Sequence, residues 1–570
     1  MRITTRALAL LLLLGVAGAT TSAAQTAAPG QPSGQAAPPA DGLTRRLTVE
    51  EAVRLALENN LGLRAARFAP QVQDLAVAQA RAAWAPTFTS TVVQARADTP
   101  STSFLSGGQS FTTDNRLATN VSIQQLLPFG SSYSVGWDTS RATTTNLFSN
   151  FSPQVRSTLA LHFQQPLLRN RLIDVSRQQV LLSEKNRDIA DVEVQQNVAI
   201  MSRTVRNAYW DLAFARASLQ VQQQSLELAQ ESLRNTRARV DIGTTPPIDI
   251  VEAEAEVATR QEAVILAQAS IETAEDALRA LVFDPAMPDF WSVRIEPGDL
   301  PAFQPAAVSV DAVVRSALDR RTDLLQARRS LEANDISIRY IRNQAMPDVA
   351  AAFDYGLAGL GGTQFLRGAG FPGPIVGESV RGFGSVLGDL FTNAYPNWQL
   401  SLNVSYPIGR SAQEANLARA RLQYTQSQTQ LRSQELQVVQ QVRTTARQLL
   451  TNQQRVQTTR VSRELAERRL DAEQRKFAAG TSTSFVVFQV QRDLAQARNN
   501  ELRAVLDFNR SVVDLDTVQQ APLTGTITSS TSTSLGSGAG SASASGSAPG
   551  GTTTGATTGA TTGSTTSAQR

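Results

Sequence analysis

Between Val194 and Val240 the positions 194, 198, 201, 205, 208, 212, 215, 219, 222, 226, 229, 233, 236 and 240 read Val, Val, Met, Val, Ala, Leu, Ala, Leu, Gln, Leu, Ala, Leu, Thr, Val. The steps alternate four and three without a break. A 3.5-residue repeat keeps one stripe facing a partner helix, so this is a coiled-coil seam. At 1.5 Å per residue it spans about 70 Å. A helix of that length does not fold back into an ordinary globular core and must pack lengthwise against other helices. Asp241-Ile242-Gly243-Thr244 then breaks the pattern. A second seam follows at Ile250, Ala253, Val257, Arg260, Val264, Ala267, Ile271, Ala274, Leu278 and Leu281. Two seams joined by a tight turn make an antiparallel helical hairpin. Arg260 inside the second seam is expected to snorkel or to pair with a nearby glutamate.

The chemistry available is narrow. The 570 residues include no cysteine, which removes disulfides and thiolate metal sites, and one histidine, His162, which leaves almost no raw material for histidine metal sites or Ser-His-Asp catalysis. No cofactor or metal site is implied. The alternate carboxylates Glu252, Glu254 and Glu256 read as a solvated helix face. Asp249 reads as a helix-start charge at the positive end of the dipole, and His162 as a hydrogen-bonding side chain on the polar face of a strand. The 53 basic and 49 acidic residues are interspersed along the helices and form no basic block, so nucleic acid is not an expected partner.

Residues 1–24 have the basic start, apolar run and small-residue end of a secretory signal, with cleavage expected after Ala24. Residues 25–43 read as a flexible leader. Beyond the signal no stretch of about 18 apolar residues occurs, so entry into a membrane requires a β-barrel. Strand periodicity is present between about 86 and 166. Leu117, Thr119, Val121 and Ile123 alternate with polar residues, as do Tyr133, Val135 and Trp137, and Leu159, Leu161 and Phe163. One apolar and one polar face suits a membrane strand, and also a soluble sandwich.

The pattern then repeats. Val310-Asp311, Val314-Arg315 and Ala317-Leu318 match Val49-Glu50, Val53-Arg54 and Ala56-Leu57 at an offset of 261, and Pro347 matches Pro86 at the same offset. Pro407 answers Pro166 at 241, and Gly480-Thr481 answers Gly243-Thr244 at 237. The expected organisation is a first repeat, 44–282, with strands at about 86–166 and a long hairpin at 170–282. An irregular connector, 283–307, follows. A second repeat, 308–518, has strands at about 347–407, including a long loop from Gly356 to Asn397, and a hairpin at 410–518. A disordered Ser/Thr/Gly/Ala tail, 519–570, closes the chain. Eighty residues separate Pro86 from Pro166 and sixty separate Pro347 from Pro407, so the first repeat has room for one additional hairpin. Four to six strands are too few to close a membrane barrel, which needs about eight or more. Other copies of the chain must close it, most simply as a symmetric ring. A trimer of four-strand contributions gives twelve strands, with the helices continuing the ring as a tunnel.

This arrangement resembles the TolC family of outer membrane efflux proteins. The local matches are Ala208-Tyr209-Trp210-Asp211-Leu212 on the first long helix, Gln165-Pro166-Leu167-Leu168-Arg169 at a strand-to-helix junction, and Asn397-Trp398 and Pro407-Ile408-Gly409 in the second repeat. Ile242-Gly243-Thr244 and Ala479-Gly480-Thr481 resemble the tips where the family's periplasmic adaptor docks. The resemblance implies an α-dominated fold. Long coiled-coil hairpins would build a periplasmic α-barrel, topped by a transmembrane β-barrel shared between the subunits of a homotrimer in outer membrane lipid. It further implies an exit duct, not an enzyme, serving an adaptor (membrane fusion) protein and an inner membrane transporter in a tripartite efflux or type I secretion system. The sequence departs from the family's aspartate ring at the entrance. Val486 and Gln489 stand six and nine residues after the second tip glycine, Ser482 and Phe477 flank it, and the first repeat keeps an acid at Asp249. The gate is accordingly expected to use Asp249, Phe485, Phe488 and Gln489, closing by packing and poor wetting. The competing readings are a periplasmic coiled-coil adaptor or scaffold without a pore, and a trimeric surface adhesin.

Overall fold

The computed structural model describes residues 44–100, 110–299, 303–305, 307–370, 373–409 and 411–523. The expected signal, the leader and the tail beyond 523 lie outside these residues. Thr48 starts the first helix as the sequence requires. Its hydroxyl accepts from Glu51 N at 3.3 Å, and the Glu51 carboxylate accepts from Thr48 N at 3.1 Å, closing a capping box. In chain order the first half contains β1 (Thr44–Leu47), α1 (Val49–Asn59), α2 (Leu61–Ala66), α3 (Phe68–Arg81), β2 (Thr87–Pro100), β3 (Phe111–Leu126), β4 (Ser132–Thr144), β5 (Phe151–Pro166), α4 (Val175–Asp241) and α5 (Ile248–Val282). After β6 (Arg294–Pro297) come α6 (Val310–Arg320), α7 (Thr322–Gln344), β7 (Asp348–Arg367), β8 (Ile375–Arg381), α8 (Phe383–Phe391), β9 (Pro396–Ser405), α9 (Ala412–Ala478) and α10 (Ser484–Val518). The long helices α4 and α9 each run 67 residues, and their return helices α5 and α10 each run 35.

Seam residues Met201, Val205, Leu212, Ala215, Ala229 and Thr236 are buried on α4, and Ala253 and Leu278 on α5. Arg260 pairs with Glu256 at 2.6 Å, its carboxylate within one helical turn. Asn197, Tyr209 and Ala213, which lie off the seam, are buried too, because α4 has more than one neighbour. It packs against α5 and α10 toward its C-terminal end and against α3 and α7 toward its N-terminal end. The helical wall therefore reads α5, α4, α10, α9 at one level and α3, α4, α7, α9 at the other, with α4 and α9 continuous through both. Where the levels meet, α1 and the connector pack on α4 and α5 around Val53, Tyr209, Leu278, Phe290 and Ile295. The second half has a matching cluster around Ala317, Val442, Leu449, Phe508 and Val518.

The sheet is one continuous antiparallel series, β2-β3-β4-β5-β7, whose far edge carries β9 on the inner part of β7 and β8 on the outer part. The register sorts the side chains. One rung joins Ile123, Val135, Leu161, Tyr355 and Trp398; the next but one joins Phe163, Phe353 and Leu400. The opposite face carries Asn120-Asp138 and Gln124-Ser134-His162-Asp354-Gln399. From β4 through β9 the polar and apolar sets stay apart over these rungs, because a period of two holds each set to one face; on β3, Gln125 stands on the apolar side, where its Oε1 accepts from the Tyr133 hydroxyl at 2.7 Å.

One open expectation is filled and three need correction. The additional first-half hairpin is part of the sheet, so six strands run through it, the upper end of the four to six expected. The segment from Gly356 to Asn397 is not a loop. Gly356 to Arg367 extends β7, and β8 and α8 follow. Glycine is needed there because α8 lies on the strand: a Cβ at Gly359 would sit 2.3 Å from the Val386 carbonyl oxygen. The connector is only partly irregular, since β6 pairs in parallel with β1 and buries Ile295. Residues 519–523 belong to the folded part: Thr322 N donates to the Gln520 carbonyl at 2.9 Å, and Ala521 is buried.

Candidate functional site

Farthest from the sheet, each half ends in the same turn. Gly243 and Gly480 both have φ +76°, the left-handed region that closes a helix cheaply only with glycine. Gly243 N donates to Val240 O at 2.9 Å and Thr244 N to Arg239 O at 2.9 Å. Gly480 N donates to Phe477 O at 3.1 Å and Thr481 N to Lys476 O at 3.0 Å. This pair of crossed bonds is the Schellman closure, and it satisfies the last helical carbonyls. The threonine hydroxyls add a bond to the same carbonyls, at 3.0 Å to Arg239 and 3.1 Å to Lys476. Ile242, Gly243, Thr244, Ala479, Gly480 and Thr481 are all exposed. An apolar Ile242 held in water on a rigid turn, beside unshielded backbone, is a surface that another protein can cover.

Behind the tips the two hairpins are tied together. The Arg239 guanidinium lies over the Phe477 ring, 4.2 Å from its centre, and its Nη1 donates to the Phe477 carbonyl at 3.1 Å. Ser484 Oγ donates to Asp249 Oδ2 at 2.8 Å. Gln491 Nε2 donates to Ser232 Oγ at 2.9 Å, and Arg492 reaches Glu256, already paired with Arg260, at 3.4 Å. A cleft of about 480 Å³ lies between these ties, lined by Leu228, Thr236, Phe477, Val487 and Phe488 among others. Within the second tip, Glu473 accepts from Ser482 and from Lys476. The Ser482 hydroxyl, helped by Lys476, holds the Glu473 carboxyl below its ordinary value.

The expected gate residues separate into three kinds. Phe485 is 55% exposed and Gln489 is exposed, so both present side chains outward from α10. Phe488 is only 4% exposed and sits inside the hairpin contact, where α4 covers it; it packs the helices and is not on an open surface. Asp249 is half-buried and bonded to Ser484, so it holds one hairpin to the other. Among all these ties, Arg239 over Phe477 carries no sequence signal, since 238 residues separate the partners. Elsewhere, His162 Nδ1 lies 2.6 Å from Asp354 Oδ1 across the β5-β7 rung, a hydrogen bond on the polar face.

A sequence profile described as "Outer membrane efflux protein" matches residues 52–282 and 313–518. The outer membrane protein TolC of Escherichia coli (strain K12) is 24% identical over 346 residues, which is 59% of this chain and 66% of that protein, just short of two thirds of its length. Among solved structures, the outer-membrane channel OprN aligns with a TM-score of 0.59 at 17% identity, covering 83% of this chain and 90% of that one. The Campylobacter jejuni CmeC outer membrane channel aligns with a TM-score of 0.57 at 13% identity, covering 84% and 87%. At such identities the structural likeness speaks for the fold.

Proposed function

This chain belongs to the outer membrane efflux protein family, and from that premise we propose that it is the exit duct of a tripartite efflux or type I secretion assembly. It is a transport protein of the outer membrane with a helical extension in the periplasm, and it is related to TolC. In the proposed assembly three copies surround one channel. Their sheets join into a shared transmembrane β-barrel, with the Trp398-Leu400-Leu402 face toward lipid and the His162-Asp354 face toward the lumen. Their helical walls continue that channel through the periplasm. A periplasmic adaptor docks on the exposed turns at Ile242-Gly243-Thr244 and Ala479-Gly480-Thr481, and an inner membrane transporter supplies the cargo. Phe485 and Gln489 narrow the entrance, and the ties at Asp249 and Arg239 hold it.

The observation that carries this reading is the sorted sheet at one end of 67-residue helices whose opposite ends finish in twin, exposed glycine turns. Such a sheet faces two solvents, and such helices are long enough to reach about 100 Å away from it. The test is fractionation followed by planar-bilayer recording. Heat-modifiable trimers in the outer membrane fraction that conduct ions are expected. A water-soluble periplasmic monomer would overturn the duct in favour of a poreless scaffold. Cysteines at Gly243 and Gly480, in a chain with no other cysteine, are expected to crosslink an adaptor; their failure to capture any partner in cells would remove the docking assignment. Phe485→Ser is expected to raise the closed-state conductance, and an unchanged conductance would remove Phe485 from the gate.

A further inference from the structure

We propose that three copies close an eighteen-strand wall, in which β2 of each copy pairs with the in-line edge formed by β9 and β8 of the next. The proposal rests on the trimeric duct reading and goes beyond it in the number of strands, the seam and the width of the outlet. Six strands of each copy run through the sheet, β2, β3, β4, β5, β7 and β9, so three copies of six give eighteen.

Four observations bear on this seam. The first is direction. Successive strands alternate along the sheet, so β2 and β9 run oppositely, and joining one copy's β2 to another's β9 continues the antiparallel ladder without a fault. The second is length. β2 offers fourteen residues, while β9 offers ten and β8 a further seven above it on the same edge of β7. The two short strands, separated along β7 by residues 358–361, together cover the span of the one long strand. The third is exposure. Every residue of β2 is exposed, and all of β9 but Ser401, so both strands have an open backbone edge of the kind that a further strand covers. Residue faces agree as well: Phe88 and Val92 lie on the face of Ile123 and Thr119, and Trp398 and Leu400 lie on that same face across the sheet.

The fourth observation is circumference, and it agrees with eighteen strands. Each copy brings four helices, α3, α4, α7 and α9, to the level below the sheet. Twelve helices at about 9 Å spacing make a ring roughly 110 Å around. Strands about 4.8 Å apart and tilted about 40° take roughly 6 Å of circumference each. Eighteen of them also make roughly 110 Å, whereas twelve at that tilt make about 75 Å. The six-strand sheet therefore meets its helical wall without tapering. The outlet is then about as wide as the tunnel.

The test uses the full-length chain in outer membranes, where it has no native cysteine to interfere. Thr89→Cys, Thr91→Cys or Val93→Cys on the polar side of β2 is combined with Ser401→Cys or Asn403→Cys on the same side of β9, since a panel covers the unknown offset between copies. After oxidation, at least one pair is expected to give a covalently closed trimer that survives boiling in detergent and collapses to monomer with reductant; single variants are expected to give none. Closed trimers formed instead by Ser134→Cys on β4 with Ser401→Cys would overturn the proposal. They would mean a four-strand contribution, twelve strands in all, with β2 and β3 outside the wall and the trimeric duct intact. Trimers that form but link through neither set also overturn it. A chain that forms no trimer at all overturns the duct reading itself.

Discussion

In the first half, Tyr209 of α4 fills the middle of the helical layer. Its hydroxyl donates to the Leu47 carbonyl at 3.0 Å and accepts from Asp299 N at 2.9 Å, pinning β1 and the connector. The matching position of α9, 237 residues on, is Ala446, and the space there is taken by Phe508 from the return helix, with Phe303 edge-on at 5.0 Å between ring centres. The tips differ in the same manner. Near the second turn Leu470, Val490 and Leu494 form an apolar cluster. In the first half the matching positions, 237 residues back, are Leu233, Ala253 and Val257, so a buried alanine stands where the second half has a buried valine. Helix lengths are shared to the residue and both long helices close with the same glycine turn, while the fillings are not. Length and turn type are fixed by what both halves must do, which is to lie side by side in one wall. The filling has to suit only its own neighbours, so it was free to diverge.

That contrast can be tested by removing each filling. Phe508→Ala deletes a buried ring and leaves a cavity, at a cost of about 3–5 kcal/mol. Tyr209→Ala is expected to cost as much, and in addition to free β1, so hydrogen exchange at 44–47 and 294–297 should rise in this variant alone. Chemical denaturation of the detergent-solubilised protein measures both costs. Equal exchange of these strands in the two variants would erase the distinction.

Tyr209→Phe sharpens the comparison. Burial pushes the Tyr209 phenol up to about 12, so it stays protonated and remains a donor throughout the working range. Losing the hydroxyl leaves the Leu47 carbonyl and Asp299 N without this partner, for about 1–3 kcal/mol. Gly243→Ala and Gly480→Ala are next in size. A Cβ meets nothing at either turn, so each costs only the left-handed strain, about 1 kcal/mol. Equal losses are expected, because this is where the halves are alike; a clear difference in thermal stability between the two variants would break the equivalence.

The smallest effect concerns acid. Glu473 has its folded value depressed below 4.5, so its contribution is present above that pH and is lost as the pH falls through the folded value. The first half has Thr236 at the matching position. Acidification below about pH 4.5 should therefore loosen the turn at 479–483 and leave 242–246 unchanged, as measured by exchange at the two turns. Loss of protection at both would point to a general acid effect unrelated to Glu473.

What was legible in the sequence follows from period and length. The seams, the capping box at Thr48 and Glu51, the two glycine turns and the sorted strand faces each repeat or signal over enough residues to stand out. The β1-β6 pair did not, because four residues per strand carry no period and the partners lie 250 residues apart. The outer half of β7 did not, because Gly359, Gly361 and Gly362 read as loop until α8 is seen resting on the first two and β5 on the third. At the tips, Phe485 and Phe488 sit three apart and look alike in sequence. The neighbouring α4, which no local pattern reveals, covers one and leaves the other in solvent.

The clasp at Tyr209 also has a mechanical meaning. It holds α4 close to its midpoint, 34 residues from Val175 and 32 from Asp241, or about 50 Å from either end. A rod pivoted at its centre moves both ends in opposite senses, and a rotation of about 5° carries the end roughly 4 Å. The upper end is moored to a hydrogen-bonded sheet that does not follow. A displacement of the turn at Gly243 is then taken up as bending between the clasp and the tip, where α5, α10 and the Arg239–Phe477 contact with α9 hold α4. The arm below the clasp is therefore the lever of the molecule, and the Arg239–Phe477 contact, close to its end, is where a tie between the hairpins has the greatest mechanical advantage.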